Sequence, residues 1–146
     1  MRFAALCSAV LLVAAACQPL ITRPEPSTIM VLTEGSIFVR DATPGSASVP
    51  FTVENRGTST LYLARCGERL MAAVDRWENG QWVQHSGDAC QTVYPMDARP
   101  LAPSASFSSA RQVSAPGRYR LRLDARSAPT LPSEWTTAVS NEFTVE

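Results

Sequence analysis

The stretch PGRYRLRLDA, residues 116–125, alternates without a break. Arg118, Arg120 and Arg122 share one parity; Tyr119, Leu121 and Leu123 share the other. A period of two is the mark of a strand with one face in a core and one in water. A helix, with a period of 3.6, would scatter the same residues around its axis. Such a strand needs sheet neighbours and a second layer over its apolar face.

The rest of the chain keeps this period. ASVPFTVEN sets Val49, Phe51 and Val53 against Pro50, Thr52 and Glu54. TIMVL and SIFVR read as an opening strand interrupted at Glu34–Gly35, and RGTS as a turn. TLYLARC is apolar on both faces, as a central strand would be. LMAAVDRW and QWVQH flank Asn79–Gly80, the strongest short hairpin signal. QTVYP reads as a short strand, SASFSSARQV as a serine-rich one, and EWTTAVSNEFTVE closes the chain. No window carries a helical apolar stripe. The expectation is an all-β, immunoglobulin-like antiparallel β-sandwich of about seven to nine strands, one domain over residues 29–146.

Charge excludes one class of partner. Thirteen basic residues, all arginine, face thirteen acidic ones. A neutral domain has no overall field with which to gather nucleic acid. With no lysine, every basic site is a planar fork that stays charged.

The first residues carry an address. Arg2 is followed by an apolar run from Phe3 to Ala16, broken only at Ser8, that ends in three alanines. This is the layout of a secretory signal, too short for a transmembrane helix. The alanines run directly into Cys17. "AAAC" resembles the bacterial lipoprotein signal, with Ala14 standing where that family prefers leucine. The resemblance implies cleavage after residue 16, diacylglyceryl on the Cys17 sulfur and an acylated amine. Several chains anchor far better than one, at about 0.8 kcal/mol for each buried methylene. Gln18, in place of the aspartate that favours inner-membrane retention, implies the outer membrane of a Gram-negative bacterium. Pro19, Pro24 and Pro26 make residues 17–28 an extended tether.

Cys66 and Cys90 form an even pair in a chain expected to be exported. A structural disulfide between them would stabilise by roughly 3–4 kcal/mol in the chain-entropy model. Metal, redox and free-thiol readings are the alternatives. Metal ligation and redox chemistry lack their usual CxxC or HxxxH spacing.

VPFTVENRGTSTLYLARCG, LAPSASFS, PGRYRLRL and SNEFTV together resemble bacterial immunoglobulin-like domains. Their layout is also similar to the bacterial intracellular proteinase inhibitor family, over about residues 46–146. Pro103–Ser104 departs from the Pro-Gly common there. The resemblance is one of turns and alternation, and it implies fold more than inhibition.

Two surfaces stand out as binding candidates. A two-residue turn at Asn79–Gly80 sets Trp77 opposite Trp82 at a close-approach position. The indoles could stack on a sugar or grip a peptide; the alternative is that they cover a sandwich edge or pin the hairpin register. Arg118, Arg120 and Arg122 could take phosphate or carboxylate groups of an envelope polymer; the alternative is a solvated face paired with nearby acids. Tyr119, after Pro116–Gly117, fits a tyrosine corner. Chemistry finds little support. His85 is the sole histidine, no G-x-S-x-G elbow occurs, and phosphate-loop and dinucleotide fingerprints are lacking. The expectation is a non-enzymatic, lipid-anchored envelope module that needs no cofactor or metal. Its partners are the membrane and an envelope protein or polymer. A proteinase inhibitor-like domain is the alternative, and a hydrolase using His85 a third reading.

Overall fold

The computed structural model describes residues 28–87, 96–130 and 135–146. Cys17, Cys90, QTVYP, the export signal and nearly all of the tether therefore lie outside the described residues. No helix among the described residues is long and apolar enough to cross a membrane.

Two sheets face each other. The smaller has the order β1–β3–β9, from Ile29–Thr33, Ala47–Asn55 and Ser106–Val113. The larger is centred on β10, Gly117–Arg126. β10 has two partners on each side. One flank holds β11 (Trp135–Val139) beside its second half and β12 (Phe143–Val145) beside its first. The other flank holds β6 (Ala73–Glu78) beside the first half and β4 (Leu61–Cys66) beside the end. β7 (Gln81–Ser86) extends β6, while β8 (Met96–Leu101) and β5 (Arg69–Leu70) pair with β4. β2 (Ile37–Phe38) runs parallel to β12. The opening strand thus leaves the small sheet at Glu34–Gly35 and joins the large one. The ladder pattern makes the chain an all-β, immunoglobulin-like sandwich.

Twelve strands are found among the described residues, against the seven to nine expected. Two of them have only two residues each, and the neighbours of β10 are split into short pieces. β8, MDARPL, has no apolar alternation. Its Pro100 is admitted because β8 lies at a sheet edge beside β4. Pro50 is in a central strand, but its carbonyl accepts from Glu34 beyond the end of β1. Its missing N–H points to the same side, past the last paired residue of β1, so the bond it forfeits falls at the end of that ladder.

The core is built on the parity read from the sequence. Val49, Phe51 and Val53 of β3 are buried against Tyr119, Leu121 and Leu123 of β10, with Leu63, Val74 and Phe143 beside them. Tyr119 and Phe143 stack, ring centres 5.9 Å apart. β4 differs from its reading as apolar on both faces: Leu61 and Leu63 are buried, whereas Tyr62 and Ala64 are half-exposed.

Polar residues close the ends. Asn55 is fully buried, and its amide donates to the carbonyls of Ser59 and Leu101, each at 2.8 Å. Its side-chain oxygen accepts from the Gly57 amide. The strand-ending asparagine is thus a clasp between β3, the following turn and β8. Ser104 takes φ of 60°, a conformation glycine would hold without steric cost. The Tyr119 hydroxyl donates to the Ala115 carbonyl at 2.8 Å, forming the tyrosine corner. Burial pushes its ionisation above the ordinary value.

Candidate functional site

The two candidate surfaces are one surface. β6 pairs with β10 so that Tyr119 faces Arg76 and Arg120 faces Asp75. Trp77 therefore shares the outer face with Arg118, Arg120 and Arg122. The hairpin register places Trp77 opposite Trp82, with Asn79 and Gly80 at φ of 50° and 84°. Both turn residues have the positive φ that a tight two-residue hairpin requires.

The indoles meet edge to face, ring centres 5.1 Å apart at 63°. They are no flat platform. Arginine planes complete the stack: the Arg120 guanidinium carbon lies 4.6 Å from the Trp82 ring centre, and that of Arg118 lies 5.2 Å from the Trp77 ring centre. Guanidinium groups over indole faces gain roughly 0.5–1 kcal/mol each at exposed sites.

The arginines are ion-paired. Arg118 donates to the Glu142 carboxylate through Nε at 2.8 Å and also through Nη2. Arg120 donates twice to Asp75 Oδ2, each at 3.3 Å. Arg122 Nε stands 3.4 Å from Asp75 Oδ1, and its Nη2 donates to Gln84 at 2.7 Å. Asp75 is only 4% exposed, which makes it the buried anion holding two cations in place. The Arg65–Asp97 ion pair lies apart from the ladder. Arg65 donates to Asp97 at 2.6 Å and holds its carboxyl below the ordinary value, with help from the Ala98 amide.

Asp75, Gln84 and Glu142 were missed as members of this site. Asp75 has the parity of Trp77, and Gln84 that of Trp82, so both could have been placed on the same face from sequence. Glu142 could not, since only folding brings it to Arg118.

Trp135, on β11, was also missed. It is 54% exposed on the same outer face, with Arg126 stacked 5.2 Å from its ring centre. Beside it opens a cleft of about 320 Å³, lined in part by Ala64, Ala73, Gln84, Arg122, Asp124 and Trp135. The cleft lies where the flank of β10 changes from β6, ending at Arg122, to β4, beginning at Ala125.

The remaining candidates lie elsewhere. His85 is exposed, its ring 5.6 Å from that of Tyr119. No group of three metal-ligating side chains occurs among the described residues. Cys66 is disulfide-bonded at the end of β4, while Cys90 lies outside the described residues.

No family model matches the chain, and no curated protein matches it. Solved structures similar to it include the CARDB domain of PF1109 from Pyrococcus furiosus. Identity there is 14% and the TM-score 0.39, over 81% of this chain and 94% of that one. An ASH/PapD-like domain of human CEP192 is similar at 13% identity and TM-score 0.37, covering 91% and 96%. The Pseudomonas fluorescens alkylpurine DNA glycosylase AlkC is similar at 12% identity and TM-score 0.38. There 83% of this chain is covered but only 31% of that one. The fold assignment rests on the ladder itself.

Proposed function

We propose that the chain is an exported lipoprotein of the bacterial envelope, anchored through Cys17, whose sandwich is a non-enzymatic binding module. The binding face is the outer side of the large sheet, built on Trp77, Trp82, Arg118, Arg120 and Arg122. One observation carries this reading: all three tryptophans lie outside the buried core, and arginines stack on each of them. Phe51, Tyr119 and Phe143 supply the large core rings instead. An exposed indole keeps apolar area available for a partner, and tryptophan and arginine dominate the energetics of protein interfaces.

The chemistry of the face favours a protein over an anionic polymer. Each ladder guanidinium already has a carboxylate, so phosphate groups would have to displace Asp75 or Glu142. The planes of indole and guanidinium remain open to side chains of a partner. We assign the Cys66 disulfide to Cys90, as expected in an oxidising compartment.

A photo-crosslinking phenylalanine analogue at position 77, in intact cells, tests the face. The same analogue at Ser108, on the outer side of the small sheet, is the control. A discrete protein adduct from position 77 and none from 108 supports the reading. Equal adducts, or none from 77, overturn it. Mass spectrometry of the mature N-terminus tests the anchor, and an unmodified Cys17 thiol would remove it.

A further inference from the structure

The cleft beside Trp135 shares Arg122 and Gln84 with the ladder but includes neither Trp77 nor Trp82. Its floor includes Ala64 and Ala73, which face outward from β4 and β6. Their short side chains leave a hollow where larger ones would fill the step between the strands. Trp135 forms one wall. Arg122 and Gln84 form another, already joined at 2.7 Å and held from beneath by Asp75. Asp124 stands between them. Its Oδ1 accepts from the Thr137 hydroxyl at 2.6 Å, and a carboxylate has capacity to accept several further hydrogen bonds.

This combination selects among ligand classes. An anion would meet the carboxylate of Asp124, and a cation would meet the guanidinium of Arg122. A ring bearing hydroxyls suits both, because each hydroxyl donates and accepts. The C–H face of such a ring is apolar and fits against an indole. At about 320 Å³ the cleft is at the small end of ligand pockets, sized for one ring and open to solvent beyond it.

We propose that this cleft binds one uncharged saccharide unit, with Trp135 under its apolar face, Asp124 accepting from its hydroxyls, and Arg122 and Gln84 donating to them. The site rests on the outer face being a binding surface, but it uses none of the ladder tryptophans.

The test is calorimetric titration of the full chain in a detergent without a sugar headgroup. The probes are glucose, N-acetylglucosamine and the β-linked trimer of N-acetylglucosamine, with glucuronate and glucosamine as charged controls. At least one neutral probe should bind with a Kd of about 10 mM or tighter, the range of single-ring ligands. Both charged controls should bind several-fold more weakly. Trp135→Ala and Asp124→Asn should each weaken the neutral probe by roughly tenfold or more, the effect of losing about 1.4 kcal/mol. Trp77→Ala should leave it unchanged. Circular dichroism of each variant confirms that the sandwich is folded. The proposal is overturned if no neutral probe binds, if glucuronate binds best, or if Trp135→Ala has no effect. It is also overturned if Trp77→Ala, rather than Trp135→Ala, abolishes binding; in that case the ladder reading survives and the cleft does not.

Discussion

The two faces of β10 are made by alternate residues of one strand, yet they hold together by different physics. Inward, Tyr119, Leu121 and Leu123 are nearly or fully buried among aliphatic and aromatic neighbours. Their stability comes from removing apolar area from water, about 25 cal/mol per Å². Outward, Arg118, Arg120 and Arg122 are ion-paired at partly exposed positions, and the first two stack on indoles. There water screens the charges, and much of what the pairs gain is offset by fixing long side chains. The inner face should decide whether the protein folds. The outer face holds side chains in fixed places at little net stability, which is what a recognition surface requires.

Substitutions on the two faces can break this contrast. Leu121→Ala should be the most damaging, losing about 2–5 kcal/mol in chemical denaturation through lost transfer energy and the cavity left behind. Asp75→Ala should come next. It removes the buried carboxylate shared by Arg120 and Arg122, and about 2–3 kcal/mol is expected from the hydrogen bonds to a charged group. A loss for Asp75→Ala as large as for Leu121→Ala would mean that the outer face is structural after all. Arg118→Ala should change stability by less than about 1 kcal/mol, because its partner Glu142 is well exposed. A larger loss would point to the stacking on Trp77 rather than to the ion pair.

The smallest effect at neutral pH is that of the Tyr119 hydroxyl. Burial raises its ionisation above the ordinary value of 10.0. The folded state therefore favours the protonated phenol. Its contribution is complete below pH 10 and is lost as pH rises through the folded value. Alkaline denaturation should accordingly steepen above pH 10, and Tyr119→Phe should flatten that limb.

The strands most visible in the sequence are those with the strictest parity. β3 occupies 47–55, the whole of ASVPFTVEN, and β10 occupies 117–126. β8 was hidden because Asp97, Arg99 and Pro100 interrupt any pattern, and it forms by pairing along β4. The members of the outer face were legible one hairpin or one strand at a time. Their convergence was not, since the β6–β10 pairing joins residues more than forty positions apart and parity carries no record of which strand lies beside which. The cleft was least legible of all. It arises from a change of neighbour along one strand and leaves only two alanines and an isolated tryptophan in the sequence.

The position of β10 in the chain also governs the order in which the molecule can be assembled. Four strands dock along it, yet it is tenth of the twelve strands found among the described residues. Before residue 117 becomes available, the large sheet exists only as separate pieces, β6 with β7 and β4 with β5 and β8. They have no common spine, and two-stranded hairpins alone are marginal in water. A growing or threading chain should thus keep the large sheet open until β10 emerges and then close it around that longest strand. Truncation just before Gly117 would then leave the small sheet and unjoined pieces of the large one rather than a smaller sandwich.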